Sequence, residues 1–560
     1  MKKNREKRNE TPSKKGSSFL SGVFLLTLST MLVKATGLIT KIPLLHLLGA
    51  EGMGYYNTAY EVYAFLFVLS TAGLPVALSI LISERQEEHR RLLRVAVRLF
   101  VFLGAVGFGV LGFFADAISA LMGNPGARDC MRAVAPAVLF ICLASAVRGY
   151  YQGLRDMKPT AVSQLLEALG KLIFGLCFAF LARRAGLALP QVAAAGAAGL
   201  SAGTLLSLLY LLFRLSADAG RGTEEASRES RPTRGITARL LRIAIPITLS
   251  SGVITLTRLL DMVLILRRLQ MCGYTETAVN TLYGAYSTLA VPLYSLLPTL
   301  IGSVALPLVP GIARAREVGD TAEEREVVST SFRLTVLLGL PATLALSAFA
   351  PPILQLLFGG EAVAVAQAVP LLRVLGASVL SACLMTVTGS MLQAYHRARV
   401  PLFSMLAGSA LKLGTAWFLL GLPQIGMLGA PISTFVCNTA VVLIDLAVLS
   451  RLIPQDGTAG GFCLRVLAAS LLSVGGTLGV WMFAGHFGEL PRAVFLVSVA
   501  LCVLLYLTLI LRMGALRRED VVHLSHGERV WHLLCRLGLV RSGENVVDFS
   551  EKHDKFKKST

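Results

Sequence analysis

Apolar residues fall into fourteen long runs that recur along the whole 560-residue chain. A helix needs roughly 20 mostly apolar residues to cross a bilayer. The runs cover residues 19–43, 57–83, 92–114, 131–151, 159–182, 192–214, 239–266, 282–309, 330–352, 369–393, 400–421, 427–450, 462–486 and 491–512. None shows the strict apolar–polar alternation of barrel strands, and open sheet edges do not survive in lipid. The pattern therefore predicts an all-α integral membrane protein with about 14 transmembrane helices.

Basic residues mark alternate connections between the runs. Lysine and arginine concentrate in residues 2–15, 85–94, 155–158, 214–242, 314–333, 397–399, 451–465 and 512–518. The predicted loop 44–56 has neither residue, whereas Arg183–Arg184 and Arg267–Arg268 run against the pattern. Because positive charge favours the cytoplasmic side, both termini are predicted to be cytoplasmic. Four tyrosines near the predicted outer interface indicate an aromatic belt: Tyr55, Tyr56, Tyr60 and Tyr63.

Composition supports a membrane location and excludes several other classes. Hydrophobic residues make up 54% of the chain and charged residues 15%, against about 25% charged in soluble proteins. The net charge of +20 lies in short loops and tails, so membrane topology explains it and nucleic acid is not an expected partner. The nine cysteines show no CxxC or Cys/His spacing. No enzymatic motif stands out, so we expect neither an enzyme nor a cofactor or metal.

Short matches in the same order indicate that the chain is duplicated. Thr27–Ser29 recurs as Thr248–Ser250, and Val76–Leu78 recurs as Val304–Leu306. The matched spans have the same predicted direction, so two pseudo-symmetric lobes around a central cavity are predicted. The predicted regions are a basic N-tail (1–18), an N-lobe (19–214), a cytoplasmic linker (215–238), a C-lobe (239–450), two further spans (451–512) and a cytoplasmic C-tail (513–560).

Lysines inside the first apolar run are the first candidates for function. A charge at the centre of a membrane helix costs about 2.5–3.5 kcal/mol on insertion scales, which makes it a functional candidate. Lys34 has no acidic residue within two turns, and Lys41 lies seven residues later on the same helix face. Lys34 is predicted to line a wet cavity or to pair with another helix. Lys41 either joins that cavity or extends its ammonium to the interface.

Further charges lie in later runs. Arg258 and Asp261 are spaced i, i+3, so they form either a structural ion pair or a cavity arginine tuned by a carboxylate. Arginine suits bidentate phosphate recognition. Glu61 is either an interface carboxylate or a proton or cation site. Glu167 and Lys171 form an i, i+4 pair, which favours a structural role. Together the interior charges indicate a transporter of an anionic cargo.

Several segments carry a family resemblance. Gly37–Pro43, Leu48–Tyr56 and Leu69–Ser79, with Gly149–Pro159 and the tail Gly514–Asp520, resemble the stage V sporulation protein B group. That group belongs to the polysaccharide-transporter branch of the multidrug/oligosaccharidyl-lipid/polysaccharide exporter superfamily, whose members include lipid II flippases. The resemblance covers essentially the whole chain.

The resemblance implies a flippase of the bacterial plasma membrane. Its expected cargo is an undecaprenyl-pyrophosphate-linked oligosaccharide or peptidoglycan precursor, moved to the outer leaflet by alternating access for cell-wall, spore-cortex or polysaccharide synthesis. Lys34, Lys41 and Arg258 are the implied substrate-binding residues, and Glu61 and Asp261 are candidates for coupling to H⁺ or Na⁺ or for tuning. Cell-wall synthesis enzymes are further candidate partners. A cation-coupled multidrug antiporter and a non-transporting membrane scaffold stay as alternatives.

Overall fold

A computed structural model describes residues 13–84, 89–219, 234–305, 308–452, 459–485 and 492–516. Every regular element in these ranges is a helix, and no strand occurs among them, which confirms the predicted all-α fold class. Most of the predicted N-tail, the centre of the predicted linker and nearly all of the predicted C-tail lie outside the described residues.

Nineteen α-helices lie within the described residues. In chain order they are α1 Ser13–Thr71, α2 Leu74–Glu84, α3 His89–Phe113, α4 Ala115–Leu121, α5 Arg128–Gly153, α6 Lys158–Arg184, α7 Leu189–Ala219, α8 Arg234–Met271, α9 Glu276–Ala285, α10 Val291–Ala305, α11 Leu308–Val318, α12 Thr321–Ala348, α13 Ala350–Phe358, α14 Ala362–Ala377, α15 Val379–Ala394, α16 Arg399–Leu420, α17 Gly429–Leu449, α18 Ala459–Gly485 and α19 Arg492–Arg512. A five-residue π-helix, Tyr286–Ala290, joins α9 to α10.

The membrane-spanning helices match the predicted runs closely. Eleven helical segments of the described residues are long and apolar enough to cross a bilayer. Two further spans are helix pairs bent by 45° and 43°, within 235–271 and 362–394. One segment, Ala35–Glu84, has 50 residues, or about 75 Å of helix, against a bilayer core of about 30 Å. That segment contains parts of both the first and the second predicted runs, so all fourteen runs have a helical counterpart.

Gly49 separates the first two predicted spans. It has φ 65° and ψ 177° inside α1, a backbone conformation that residues with a Cβ rarely adopt. A Cβ at this position would meet no atom within 4 Å, so the backbone angle and not crowding requires glycine. Residues on both sides of Gly49 are helical. The predicted loop over 44–56 is therefore wrong, because a single glycine replaces it.

Two compact units divide the chain. The first unit comprises residues 1–293, 353–375 and 402–437, and the second comprises 294–352, 376–401 and 438–560. Each has its own apolar core, around Leu78, Phe100 and Ile141 in the first unit and around Ile312 and Met391 in the second. The predicted lobe boundaries stay a prediction.

Small residues let α6 and α7 pack closely in the first unit. A Cβ on Gly170 would come within 2.7 Å of the Cα atom of Gly203, and Gly175 and Gly199 face each other in a similar contact. Small residues at such positions let helix backbones approach inside a membrane. Polar side chains of both helices, Ser163 of α6 and Ser207 of α7, accept hydrogen bonds from the same arginine of α5, Arg148.

Three of the four arginines that run against the topology pattern bind helix C-termini in the first unit. Arg183 donates to the His46 carbonyl oxygen (3.0 Å), just before the break in α1. Arg267 Nε donates to the Leu121 carbonyl at the end of α4 (2.8 Å). Arg268 Nε donates to a carbonyl in the last turn of α16 (3.1 Å). Carbonyls in the last turn lack intrahelical partners and carry partial negative charge, so these arginines act as caps.

Candidate functional site

A cluster of five charged side chains lies within the first unit. It comprises Lys41, Glu61, Arg258, Asp261 and Lys412, from α1, α8 and α16. The other four residues all contribute to the electrostatic environment of the Glu61 carboxylate. Four of the five were predicted as site residues, and the fold brings those four together. We call this group the charged cluster.

Lys41 contributes a hydrogen bond inside the unit. Its ammonium donates to the Ser287 carbonyl oxygen at 2.9 Å, which belongs to the π-helix between α9 and α10. The wider π-helical turn alters the main-chain hydrogen-bonding pattern, and such turns recur at functional sites. The side chain of Asn57 donates to the hydroxyls of Ser287 and Thr288 (2.8 and 2.7 Å). Lys41 is therefore directed to this turn of the same unit, and its predicted role in substrate binding stays a prediction.

Asp261 pairs with Lys412 and not with Arg258. The Lys412 ammonium lies 2.8 Å from Asp261 Oδ2, and the two side chains are 12% and 9% exposed. The other carboxylate oxygen, Oδ1, is buried and has no hydrogen-bond partner among the described residues. The predicted i, i+3 ion pair within α8 is thus replaced by a pair between α8 and α16.

Arg258 and Glu61 leave binding capacity unused. The Arg258 side chain is exposed, and no hydrogen bond or ion pair of it occurs within the described part of the chain. Glu61 Oε2 is buried and has no hydrogen-bond partner there either. Its two predicted roles, an interface carboxylate and a proton or cation site, stay predictions. Three cations and two carboxylates give the charged cluster one net positive charge when all are ionised.

Lys34 lies in α1, seven residues before Lys41. Seven residues are close to two helical turns, so the two lysines start from one face of the helix. The Lys34 side chain lies outside the described part of the structure. Its predicted place in a wet cavity stays a prediction.

A second group of charges, which we call the closed triad, comprises Arg148, Glu167 and Lys171. Glu167 accepts from Lys171 at 2.6 Å through Oε1 and from Arg148 at 2.8 Å through Oε2. Arg148 also donates to the hydroxyls of Ser163 (2.9 Å) and Ser207 (2.8 Å). The predicted i, i+4 pair is confirmed. Arg148 was not predicted from the sequence, although its position inside the apolar stretch of α5 could have indicated it.

Aromatic rings line one face of α1 after Gly49. Tyr56 and Tyr60 are parallel, with centroids 6.3 Å apart and 9° between planes. Tyr60 contacts Tyr63 at 6.2 Å, and the Lys171 ammonium lies 5.8 Å from the Tyr63 ring centroid. Tyr55 and Tyr63 are 5% and 2% exposed. The predicted aromatic belt is wrong for these two residues, because they pack inside the unit.

Metal-binding groupings do not occur in the described ranges. No three histidine, cysteine, aspartate or glutamate residues come together there in a way that could hold a metal ion. What the charged cluster offers instead is an exposed guanidinium, two ammonium groups and two carboxylates with unused oxygens. Such a set binds an ionic group directly by charge-assisted hydrogen bonds.

Relatives of known sequence are similar over most of the chain. An uncharacterized membrane protein, YabM, from Bacillus subtilis is 26% identical over 527 residues, covering 92% of this chain and 96% of YabM. Stage V sporulation protein B from the same organism is 25% identical, covering 78% and 84%. The lipid II flippase MurJ of that organism is 24% identical, covering 78% and 83%.

Solved structures share the fold. The lipid II flippase MurJ in an inward closed conformation superposes with a TM-score of 0.66 at 15% identity, covering 87% of this chain and 98% of MurJ. An inward-facing multidrug resistance transporter of the MATE family, in the MOP superfamily, gives a TM-score of 0.63 at 17% identity and covers 77% and 98%. At these identities the likeness establishes the fold alone.

Two family patterns match the sequence. The MatE pattern covers residues 284–418. The pattern described as polysaccharide biosynthesis protein covers residues 19–316, which is more than half of the chain. With the helices and the charges described above, the chain is a multi-pass membrane transporter and not an enzyme; it belongs to the polysaccharide biosynthesis protein family of the multidrug/oligosaccharidyl-lipid/polysaccharide exporter superfamily.

Proposed function

We propose that this protein flips an undecaprenyl-pyrophosphate-linked oligosaccharide or a lipid II-like peptidoglycan precursor from the inner to the outer leaflet. It would do so by alternating access in the bacterial plasma membrane, with both termini in the cytoplasm. Family membership and the names of two relatives, a lipid II flippase and a sporulation protein, support a role in cell-wall, cortex or polysaccharide synthesis.

The charged cluster carries the proposal. A pyrophosphate cannot enter hydrocarbon without losing its water shell, and burying an unpaired ion is very costly. Cations held inside apolar helices replace that shell with charge-assisted hydrogen bonds. The charged cluster can replace the water shell of the pyrophosphate in this way, because it has one net positive charge and an exposed arginine whose donors are unused. The prenyl tail needs no such site, because it stays in the lipid.

Each residue of the cluster has a distinct role in this mechanism. Arg258 offers a planar fork that binds a phosphate in a bidentate manner. Lys41, and Lys34 two turns earlier, add positive charge from α1. Asp261 holds Lys412 in place through the 2.8 Å ion pair. Glu61 offsets part of the positive charge of Arg258 while the site is empty, and Arg258 has no ion pair among the described residues that the cargo must displace.

The test is flipping by the purified protein in vesicles. A fluorescent undecaprenyl-pyrophosphate-linked glycan on the inner leaflet is protected from an external quencher until it is flipped. Arg258→Ala should slow flipping by about 10- to 100-fold, because a hydrogen bond to a charged group contributes about 1.5–3 kcal/mol. Arg258→Lys should retain part of the rate, since it keeps the charge but not the fork.

Arg184→Ala is the matched control. Arg184 is also exposed in the first unit, but it stacks over Phe180 at 4.9 Å, away from the cluster. Its loss should leave the flipping rate unchanged. Flipping at the wild-type rate by Arg258→Ala would reject the proposed site.

A cation-coupled multidrug antiporter is the second candidate. The MatE match over residues 284–418 favours it, as do the unpartnered buried oxygens of Glu61 and Asp261. Such an antiporter needs a carboxylate that binds the coupling cation. Expression of the wild-type protein should then raise drug resistance in a sensitive host, and Glu61→Gln should abolish the gain. Unaltered drug sensitivity with the wild-type protein would remove this candidate.

A further inference from the structure

Tyr60 marks the exposed side of α1 in the part that follows Gly49, where no other side chain is exposed. The Tyr60 side chain is 40% exposed, more than any other aromatic residue in the part of α1 that follows Gly49. Successive residues of a helix project about 100° apart, so the Tyr60 and Glu61 side chains leave α1 on adjacent sides of the helix. Their Cα atoms are about 3.8 Å apart.

Different basic residues border the two sides. On the Tyr60 side, the Lys171 ammonium of α6 lies 5.8 Å from the centroid of the neighbouring Tyr63 ring. On the Glu61 side, Arg258 of α8 contributes to the electrostatic environment of the Glu61 carboxylate without an ion pair to it. Tyr60 and Glu61 therefore place an aromatic ring and a member of the charged cluster at neighbouring positions of one helix.

The Tyr60 ring is held in one orientation. Tyr56 stacks parallel to it at 6.3 Å, and Tyr63 contacts it from the other side along the helix at 6.2 Å with a tilt of 49°. Phe67 continues the row, 5.9 Å from Tyr63. A ring that is already ordered loses little conformational entropy when a ligand packs on it.

We propose that Tyr60 is the stacking platform for the sugar ring that is joined to the pyrophosphate of the cargo; this inference rests on the proposed function. One face of a pyranose ring carries several C–H groups, and these pack on the negative face of an aromatic ring. The first sugar is bonded directly to the pyrophosphate. A phosphate at Arg258 therefore places that sugar beside the cluster, where Tyr60 lies.

Lys171 adds a polar contact to the same platform. An ammonium has three donors, and one of them binds Glu167 at 2.6 Å. The side chain is 26% exposed, so a remaining donor is accessible to a sugar hydroxyl. The platform thus recognises a ring with an apolar face and hydroxyls at its edge, which is the chemistry of a sugar and not of a lipid chain.

Binding measurements on the full-length protein in nanodiscs test this assignment. The two probes are undecaprenyl pyrophosphate and the same lipid bearing a single hexosamine. The wild-type protein should bind both and should bind the sugar-bearing probe more tightly. Tyr60→Leu should weaken binding of the sugar-bearing probe by about fivefold, as expected for one aromatic stack, and leave the affinity for the bare lipid unchanged.

Two variants and one control complete the design. Tyr60→Phe keeps the ring and should bind both probes as the wild type does. Arg258→Ala should weaken the binding of both probes, because both carry the pyrophosphate. Tyr274→Leu removes a tyrosine that is 37% exposed and lies outside the row, and it should change neither affinity.

The outcomes separate this inference from the proposed function. If Tyr60→Leu weakens the binding of both probes equally, or of neither, the platform is overturned while the flippase proposal stands. Failure of the wild-type protein to bind either probe would overturn the flippase proposal and the platform with it. A Tyr60→Trp variant gives an independent readout: its added fluorescence should respond to the sugar-bearing probe and not to the bare lipid, and an equal response to both would count against the platform.

Discussion

The closed triad and the charged cluster contain the same kinds of side chain in the same unit, yet they differ in how many of their polar atoms are used. Both oxygens of Glu167 accept hydrogen bonds from cations. In the cluster, one oxygen each of Glu61 and Asp261 has no partner among the described residues, and Arg258 is exposed. The Glu167 carboxylate, both of whose oxygens are bonded, stabilises the fold. A charge with unused capacity is available to a ligand.

Removing Glu167 should have the largest effect on stability. Glu167→Ala leaves Arg148 and Lys171 without a counterion, and those two side chains are 7% and 26% exposed. Breaking a buried pair by removing one partner costs about 3–5 kcal/mol. Unfolding by sodium dodecyl sulfate in mixed micelles measures the loss. A change below about 1 kcal/mol would show that the closed triad is not a structural element.

Removing Lys412 should have a smaller effect. Lys412→Met leaves Asp261 unpaired, and the loss of a hydrogen bond to a charged group costs about 1.5–3 kcal/mol. The double variant Asp261→Asn/Lys412→Met should recover part of this loss, because neither charge is then left alone. The same unfolding assay gives the coupling energy, and strictly additive losses would contradict a direct interaction.

The exposed ion pair between Arg239 and Glu84 should contribute less to the free energy of unfolding than the pair of Asp261 and Lys412. Its atoms are 2.7 Å apart, but the side chains are 47% and 43% exposed. Exposed pairs contribute about 0.2–1 kcal/mol and are screened by salt. Arg239→Ala should therefore lower stability slightly, and less at high ionic strength. A loss as large as that of Glu167→Ala would mean that burial does not distinguish these pairs.

Removing Arg258 should have the smallest effect on folding. Surface changes without special contacts usually stay within about 0.5 kcal/mol. Arg258→Ala is thus expected to unfold like the wild-type protein in the same assay, although it flips slowly. If it unfolds as easily as Glu167→Ala, the charged cluster is structural and the contrast with the closed triad disappears.

Sequence patterns revealed the contacts that lie along one helix and missed those between distant segments. Glu167 and Lys171 are four residues apart, so their pairing could be predicted. Lys412 and Asp261 are separated by 151 residues, and nothing in either helix alone indicates the partner. The acceptor of Lys41 is a main-chain carbonyl 246 residues away, which no side-chain pattern records.

The fourteen apolar runs were predictable because the bilayer thickness sets their length. The turn at Gly49 was not. The sequence also has glycines at 52 and 54, and these are required for another reason: a Cβ at Gly52 would lie 2.9 Å from the Leu48 Cβ, and one at Gly54 would collide with Asn280. Which of these glycines interrupts the helix depends on how the segment packs, and the order of the residues does not show that packing.

The arginine caps bear on how the chain is oriented during insertion. A guanidinium that binds main-chain oxygens faces the negative end of a helix dipole, equivalent to about half an elementary charge. Arg183, Arg267 and Arg268 therefore weigh less in the balance of charge across the bilayer than free arginines in a loop. The prediction that both termini are cytoplasmic stays a prediction, and in the folded protein these three arginines bind main-chain oxygens.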